Sequence, residues 1–416
     1  MPCPETYLWT RRCGWTVWLD GLVGGPTYGA GMRLLHTADW HLGRSLHQHD
    51  LSGAQEGFVD HLVEVVRAEG VDAVLLSGDV HDRALPPVEA MQLFADALRR
   101  LRDAGAAVVA ISGNHDAPAR LGDKSGLLDP RISIRTDPRR VGEPVLLEDA
   151  DGPVAVYAVP YLEPAAVRDL LPGDKGLAGH TGVLTRAMDA VHADRAARGG
   201  RSVVLAHAWV TGGQSSDSER DITVGGVANV PASLFEGVDY TALGHLHRPQ
   251  QLAAGLRYSG SPLPYSFSEA GHAKTSWLVE LGPTGLASVT AVDLPVHRAL
   301  TRLRGTLDEL LSTAAFTSAE QDFVAVVLTD AVRPVDAMVA LRRRFPFALV
   351  LEFEPVAGPV DDGASYASRT RGRTDLEVAG SFLSHVRSDP TERDAVLLRD
   401  ALEAARSVEL VDAAVD

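Results

Sequence analysis

Five short apolar runs, each closing on side chains that can bind a metal ion, constrain the fold of this chain more than any other feature. The runs are RLLHTAD (33–39), VDAVLLSGD (71–79), AAVVAISGNHD (106–116), SVVLAHA (202–208) and YTALGHLH (240–247). The first three are separated by two segments of helical periodicity, one within residues 58–66 and one opening at Pro86. Strands that alternate with helices predict an α/β sheet, which we expect from Arg33 to about Leu294.

The ends of these runs predict a single site. In α/β sheets ligands bind beyond the carboxyl ends of the strands, where the loops converge. Taken alone, His207 is explained as a hydrogen-bonded structural histidine, and Asp79 and Asn114 as turn or helix-capping residues. Found together at five strand ends, they predict one metal-binding crevice instead. The predicted metal ligands are Asp39, His41, Asp79, Asn114, His207, His245 and His247.

The donor types indicate the ions and the reaction. Carboxylate, imidazole and amide donors suit manganese or iron, whereas the two cysteines, Cys3 and Cys13, cannot make a cysteine zinc site. The predicted ligands exceed the needs of one ion that also binds water and substrate, so two divalent metal ions are expected. Asp39 and Asp79 neutralise only half the charge of such a pair, which leaves a positive centre for a phosphate diester and a hydroxide. The pattern therefore predicts two-metal hydrolysis of a phosphoester.

Two further residues at the third strand end are predicted to be catalytic. We expect His115 to act on the substrate rather than to bind metal, by stabilising the transition state or protonating the leaving oxygen. Its neighbour Asp116 is expected to orient the His115 ring. Two other histidines are predicted to have structural places, with His36 packed inside the first strand and His81 lining the pocket.

The remaining segments differ in character. The first residues hold both cysteines and three of the six tryptophans, and we expect them to be an extension, with Met32 opening the folded domain. Further on, RALTRLRGTLDELLSTA (298–314) predicts a helix within a compact α+β unit. The predicted units are an N-terminal extension (1–31), a metallophosphoesterase domain (32–295), a capping domain (296–355), a linker (356–374) and two amphipathic C-terminal helices (375–416).

Composition narrows the classes of function. The formal charge of −16 argues against a free-standing nucleic-acid binder, so any such role needs metal ions, a local basic patch or a partner. No apolar stretch reaches the length of a membrane span, so no membrane association is expected. Because two cysteines exclude a disulfide framework, we expect a cytoplasmic protein.

The motifs D-x-H, G-D, G-N-H-D, H and G-H-x-H that carry the candidates are those of the calcineurin-like metallophosphoesterases, and the chain resembles this family. The resemblance implies a double-sheet α/β sandwich flanked by helices. The motifs support the resemblance over about residues 32 to 280. For the cap and the C-terminal helices, only the predicted architecture supports it. It narrows to the SbcD-type nuclease subunits through LLHTADWHLGRSL (34–46), LLSGDVHDRALPP (75–87), SDSERDITVGG (216–226), YTALGHLHRPQ (240–250) and YSGSPLPYSFSEAGHAK (258–274).

The resemblance also implies roles. Asp79 would bridge two ions, one held with Asp39, His41 and His247 and the other with Asn114, His207 and His245. His115 takes the family's catalytic-histidine position, whereas His81 stands where the family more often has an aromatic residue. The implied activity is that of a manganese-dependent DNA nuclease, an ATP-dependent 3′-to-5′ exonuclease on duplex ends and an endonuclease on single strands and hairpins. The implied setting is break processing during recombination and replication, with the cap recognising DNA.

The implied partner is the SbcC ATPase, whose coiled coil would capture the helices of residues 375–416. A nuclease homodimer in a two-plus-two assembly is implied as well. The alternative for the tail is that its helices pack on the cap. The alternatives for the function are a phosphoesterase acting on nucleotides, cyclic nucleotides or phosphoproteins, and a scaffold that recruits SbcC without cutting. GNHD, DWHLG and the complete ligand set argue against these alternatives.

Overall fold

The computed structural model describes residues 31–123, 125–171, 173, 179–219, 229–356, 373–386 and 391–412. Strand β1 begins at Met32, the residue expected to open the folded domain. The predicted N-terminal extension, apart from Gly31, and residues 357–372 of the predicted linker lie outside the described residues.

The first sheet has the strand order β14-β13-β1-β4-β5-β6. Strands β1, β4, β5 and β6 are parallel, and β13 runs antiparallel to β1 and β14. These strands are β1 (Met32–Thr37), β4 (Ala73–Ser77), β5 (Ala107–Ile111), β6 (Ile132–Arg135), β13 (Thr275–Gly282) and β14 (Gly285–Asp293). A small hairpin, β2 (Ser45–Leu46) and β3 (His49–Asp50), follows β1.

The second sheet has the order β11-β12-β10-β9-β8-β7, with β8, β9, β10 and β12 parallel. Its strands are β7 (Val145–Asp149), β8 (Gly152–Val159), β9 (Arg201–His207), β10 (Tyr240–Gly244), β11 (Gln250–Ala253) and β12 (Leu256–Tyr258). All five predicted strands therefore form, three in the first sheet and two in the second.

The two sheets pack face to face, and helices cover their outer faces. Side chains alternate along each strand, so Leu34 enters the core between the sheets while Leu35 faces the helices. Strands that are buried on both faces consist of nearly continuous apolar residues, which explains the runs in the sequence. The nine described helices are α1 (Ser52–Glu69), α2 (Val88–Asp103), α3 (Pro118–Leu121), α4 (Pro164–Val167), α5 (Gly179–Arg198), α6 (Leu307–Ser312), α7 (Ala337–Arg344), α8 (Asp375–Val386) and α9 (Glu392–Asp412).

The expected double-sheet sandwich is confirmed. Helices α1 and α2 pack on the first sheet through Phe58 and Phe94, and α5 packs on the second through Leu184 and Val191. Helix α2 begins directly after the proline pair, as the sequence predicted. Among the helices of the described residues, none combines the length and the apolar content that crossing a bilayer requires.

For the segment after residue 296, one prediction from the sequence is wrong. Residues 298–314 were expected to form a helix, but the structure has strand β15 (Leu300–Gly305) followed by α6, which begins at the capping box of Thr306 and Glu309. Leu300 packs beside Tyr265, whereas Leu303 packs in the core of the cap. Because both faces of this strand are buried, its leucines stand three residues apart and imitate helical periodicity.

Strand β15 pairs in parallel with β16 (Phe323–Leu328), which pairs in parallel with β17 (Ala348–Phe353). Helices α6 and α7 cover one face through Leu310 and Leu341. The other face packs against the first domain, where Phe323 lies in one apolar cluster with Leu263 and Phe267. This contact fixes the cap beside the loop that follows β12.

Candidate metal centre

The strand ends of both sheets meet at one edge of the sandwich. Strands β1, β4 and β5 are parallel neighbours in the first sheet, and β9 and β10 are parallel neighbours in the second. Their carboxyl ends therefore point the same way within each sheet, and the loops that follow them converge. All of the predicted ligands stand in these loops or at the end of β9, namely Asp39, His41, Asp79, Asn114, His207, His245 and His247.

The backbone at these positions is strained. Asp39, His41, Asp79 and His245 have positive φ angles of 55°, 45°, 47° and 106°. A non-glycine residue in this region costs about 1–3 kcal/mol and persists only where the surroundings fix it. Here the loops fix each other, since the amide of Asp39 donates to the carbonyl of Gly78 at 3.0 Å and that of His41 to the carbonyl of Asp79 at 3.0 Å.

Two glycines allow these loops to close on the ligands. A Cβ atom at Gly113 would lie 2.1 Å from Asp79 Oδ1, and one at Gly78 would lie 2.4 Å from His207 Nδ1. Both distances are far below van der Waals contact. Any side chain at either position would therefore displace a predicted ligand.

One half of the site is formed by Asp39, His41 and His247, which offer ligand atoms within 4.8 Å of one another. The Nε2 atoms of His41 and His247 face each other at 3.0 Å. Asp39 is oriented by the amide of His245, which donates to Oδ1 at 2.9 Å and to Oδ2 at 3.1 Å. Two imidazole nitrogens and a carboxylate that point at one place are a typical ligand set for a divalent ion.

The other half is arranged around Asn114. Its Oδ1 atom lies 2.9 Å from His207 Nε2 and 3.1 Å from His245 Nδ1. Asp79 stands between the halves, because its Oδ2 atom is 3.6 Å from both His41 Nε2 and His207 Nε2. The structure thus brings all the predicted ligands together, with the Asp79 carboxylate between the two halves.

The electrostatics of the site favour cations. Burial, followed by the nearby charge of Asp79, raises the pKa of Asp39 well above its usual value, and burial raises that of Asp79 to about 6. Burial also lowers the pKa of His207 to about 4, and burial and neighbouring imidazoles lower those of His41 and His245. These three imidazoles are therefore neutral near pH 7, the form that binds metal. Buried carboxylates surrounded by neutral imidazoles need a positive charge, so these residues fit divalent metal ions.

His115 and Asp116 lie at this site, but their predicted contact is wrong. His115 Nδ1 donates to the backbone carbonyl of Asp82 at 2.7 Å, and its ring packs edge-on against His41 with the ring centres 4.6 Å apart. Asp116 instead accepts the backbone amides of Val80, His81 and Gly113 at 2.9–3.0 Å. Through these three amides, Asp116 joins the two loops that carry Asp79 and Asn114.

His36 has the packed position that was predicted, whereas the cavity that His81 lines contains none of the predicted metal ligands. His36 is fully buried between the sheets, where Nδ1 is 2.8 Å from the Tyr240 hydroxyl and Nε2 is 3.1 Å from the Leu243 carbonyl oxygen. His81 lines a cavity of about 180 Å³ and packs edge-on against Phe94. Neither residue belongs to the groups of ligand atoms described above.

A layer of polar residues behind His247 was missed by the sequence interpretation. His247 Nδ1 lies 2.5 Å from Ser218 Oγ, which donates to Glu269 Oε1 at 2.6 Å, and Lys274 makes a buried ion pair with Glu269. Burial alone would raise the pKa of the Glu269 carboxyl. Hydrogen bonding with His247 and the charge of Lys274 outweigh burial and hold this pKa below its usual value. The sign of this network in the sequence was the largely uncharged segment 258–274, which also contains one glutamate and one lysine.

A third carboxylate was also missed. Asp82 offers a ligand atom within 4.8 Å of those of His41 and His115, and its Oδ1 atom lies 3.7 Å from Arg44 Nε. Asp82 follows the G-D motif by three positions in LLSGDVHDRALPP, but nothing in its spacing distinguished it from an ordinary loop aspartate.

Comparison with known proteins agrees with this geometry. The family model described as calcineurin-like phosphoesterase matches residues 32–249. The SbcD subunit of the nuclease SbcCD from Bacillus subtilis (strain 168) is 40% identical over 262 residues, which cover 61% of this chain and 67% of that protein.

Two solved structures resemble the chain at low similarity. A dimetal phosphatase from Danio rerio is 12% identical, with a TM-score of 0.35, and covers 64% of this chain and 100% of its own. GAP50, the anchor in the inner membrane complex of Plasmodium, is 10% identical, with a TM-score of 0.36, and covers 80% of this chain and 100% of its own.

Proposed function

The chain belongs to the calcineurin-like phosphoesterase family, and on that premise we propose that it is the DNA nuclease subunit of an SbcCD-type complex. It would hydrolyse phosphodiester bonds with two divalent metal ions during DNA break processing, recombination and replication. The 40% identity to the SbcD subunit of Bacillus subtilis supports this branch of the family over the branches that act on nucleotides or phosphoproteins.

One observation carries the proposal. The seven predicted ligands, spread along the chain from Asp39 to His247, lie at one edge of the sandwich, with Asp79 between two sets of imidazoles. One ion would be held by Asp39, His41, Asp79 and His247, and the other by Asp79, Asn114, His207 and His245. Two bound ions would supply Lewis-acid stabilisation of the phosphate and an activated water.

The chain's own residues would do the rest of the chemistry. The hydrogen bond from His115 Nδ1 to the Asp82 carbonyl fixes the proton on Nδ1 and directs Nε2 away from that loop. When protonated, Nε2 can donate to a phosphate oxygen or to the leaving oxygen of the scissile bond. Asp116 supports this role indirectly, because it ties the His115 loop to the amides of Val80 and His81.

Manganese is the expected ion, and DNA ends and hairpins are the expected substrates. The described ligand set is entirely oxygen and imidazole nitrogen, which suits Mn²⁺ better than softer ions. The overall charge of −16 means that the chain itself attracts DNA weakly, so duplex ends would be delivered by metal ions and by a partner. An ATP-dependent 3′-to-5′ exonuclease and a single-strand endonuclease are the activities of this proposal.

The SbcC ATPase is the proposed partner, and helices α8 and α9 are its proposed docking segment. Their apolar side chains Phe382 and Leu397 are 56% and 58% exposed. None of the described side chains of these two helices is buried, which supports capture by a partner over packing on the cap. Amphipathic helices of this kind dock into grooves of coiled coils and helical bundles.

A homodimer, giving a two-plus-two complex in the cytoplasm, completes the proposal. A patch of apolar side chains lies around the cavity of about 180 Å³ beside α2. Its lining residue Met91 is 38% exposed, and Leu85 and Leu127, which adjoin lining residues in the sequence, are 69% and 83% exposed. An exposed patch of this kind commonly marks an interface, and two copies could cover each other's patch around a twofold axis.

Purified protein, with and without the ATPase partner, tests the function. The substrates are blunt duplex DNA, hairpin DNA and bis-p-nitrophenyl phosphate, each with Mn²⁺ and with chelator. We expect Mn²⁺-dependent cleavage of the small ester by the chain alone, and cleavage of duplex ends that requires the partner and ATP. Cleavage of nucleotides or cyclic nucleotides without any DNA cleavage would favour the other family branches, and binding of the partner without any cleavage would favour a scaffold.

A further inference from the structure

The buried network behind His247 has more polar groups than packing requires. Ser218, Glu269 and Lys274 are 6%, 1% and 2% exposed, and they lie on the side of the His247 ring opposite His41. A buried ion pair is weak evidence for stability, because desolvation opposes its attraction. The ion pair of Lys274 and Glu269 is therefore better explained by a role at the neighbouring site than by a gain in stability.

The direction of each hydrogen bond in this network follows from charge. Lys274 Nζ can only donate, and it donates to Glu269 Oε2, to Ser261 Oγ at 2.9 Å and to the His247 carbonyl at 3.2 Å. Glu269 is an acceptor, so the hydroxyl of Ser218 donates its only proton to Oε1 at 2.6 Å. Ser218 Oγ must then accept from His247 Nδ1, which lies 2.5 Å away.

We propose that Ser218, Glu269 and Lys274 are positioning residues that hold His247 in the Nδ1-protonated tautomer, so that its Nε2 lone pair faces His41 and would be available to a metal ion. The inference rests on the proposed metal-dependent function and adds residues to it. Partners behind a histidine ligand set its tautomer and its orientation. The network does both, since the Lys274 ammonium also binds the His247 carbonyl.

The backbone of His247 is held by the same segment that carries Ser218. The amide of His247 donates to Glu219 Oε1 at 2.7 Å, and Glu219 Oε2 accepts from both the amide and the hydroxyl of Ser216 at 2.8 Å. Arg44 donates to the Ser218 carbonyl at 2.8 Å. Ring, amide and carbonyl of His247 are therefore all fixed from one side.

The other half of the site is built differently. His207 Nδ1 lies 2.9 Å from the backbone carbonyl of Ser77, so its tautomer depends on the main chain and not on a side chain that mutation can remove. Loss of Ser218 should therefore weaken only the site that contains His41 and His247. This asymmetry makes the proposal testable without measuring cleavage.

The experiment measures Mn²⁺ binding to the full-length protein by calorimetry and elemental analysis, with thermal unfolding as the check on folding. Ser218→Ala should weaken one of the two Mn²⁺ sites by about 10- to 100-fold and leave the other unchanged. Ser218→Thr, which keeps the hydroxyl, should restore binding. Glu269→Gln is the second variant and should weaken the same site, which keeps the test decisive if Ser218→Ala unfolds.

Ser276→Ala is the matched control, because this buried serine makes no hydrogen bond through its side chain within the part of the chain that the structure describes. Histidine-selective ¹⁵N NMR of the metal-free protein should show the His247 proton on Nδ1, and a mixture of tautomers in Ser218→Ala. Two unchanged Mn²⁺ sites in both Ser218→Ala and Glu269→Gln, or equal weakening of both sites, would overturn the inference. Failure of the unmodified protein to bind two Mn²⁺ ions would instead overturn the proposed function.

Discussion

The metal centre and the C-terminal helices break the usual rule of burial in opposite directions. In the centre, carboxylates are buried, with Asp39 and Asp79 at most 1% exposed. In helices α8 and α9, large apolar side chains are exposed, with Phe382 and Leu397 more than half accessible to solvent. Polar groups inside and apolar groups outside are the informative exceptions in a folded chain.

The comparison shows that the two regions are stabilised by different kinds of binding partner. A buried negative charge is stabilised by a cation, whereas an exposed apolar face is stabilised by another apolar surface. The centre is held in place by both sheets, whereas the two helices contact each other and are capped by Thr374 with Glu377 and Thr391 with Asp394. Chemistry and assembly should therefore be separable by mutation.

The largest expected effect comes from Asp79, the carboxylate proposed to bridge the two ions. Asp79→Ala should empty both metal sites and reduce cleavage of bis-p-nitrophenyl phosphate by more than about 1,000-fold, since loss of a single electrostatic group already costs about 100- to 1,000-fold. Capture of SbcC should be unchanged. Elemental analysis and a pull-down measure the two results, with Asp96→Ala as the surface control. Full metal occupancy in Asp79→Ala would refute the bridge.

A variant of His115, the proposed catalytic histidine, should separate chemistry from metal binding within the candidate centre. His115→Ala should keep both ions and lower cleavage by about 100- to 1,000-fold, because it removes an acid and not a ligand. His61→Ala, a histidine hydrogen-bonded to the carbonyl of Asp293 far along the chain, is the control. Loss of an ion from His115→Ala would show that His115 is a ligand and would contradict its assignment.

The C-terminal helices should give the reverse pattern. Replacing Phe382 and Leu397 together by serine should weaken binding of SbcC by about 100-fold, because buried aromatic and aliphatic anchors dominate helix-in-groove interfaces. Hydrolysis of the small ester should not change. Arg399→Ser, an exposed position on α9, is the matched control, and deletion of residues 375–416 should abolish binding. An unchanged pull-down with the double variant would mean that the helices do not dock SbcC.

The smallest effect concerns the sandwich that supports the centre. Burial lowers the pKa of His36 to about 3, below the value of about 6.5 in an unfolded chain, so protons bind the unfolded state preferentially between these values. His36 therefore contributes stability above pH 6.5 that is lost as the pH falls, by about 1.4 kcal/mol per pH unit.

Urea unfolding of the metal-free protein between pH 6.5 and 5 measures this slope. His36→Asn should unfold with a shallower pH dependence than the unmodified chain, while deletion of residues 375–416 should leave the slope as it is. Equal slopes in His36→Asn and the unmodified chain would exclude His36 as the source. A slope that changes with the tail deleted would show that the helices pack on the sandwich after all.

The sequence allowed most of the sandwich to be predicted, and the prediction failed at β15, where only two leucines are buried, on opposite faces of the strand. The runs that became β1, β4, β5, β9 and β10 are mostly apolar, and turn residues mark their ends. Within residues 298–314, Leu300 and Leu303 of β15 pack into two different apolar clusters, so their spacing did not indicate a strand. Strand pairing with β16 overrode the local pattern.

By itself the sequence determined which residues form the candidate metal centre, because each predicted ligand is encoded locally, at the end of a buried strand or within four positions after it, and parallel strands align their ends. Tertiary structure alone decided what holds those ligands. His115 is oriented by a carbonyl 33 residues away, and Ser218 joins His247 and Glu269 across 29 and 51 residues. Contacts at such separations arise only when the loops pack, since no periodicity along the chain encodes them.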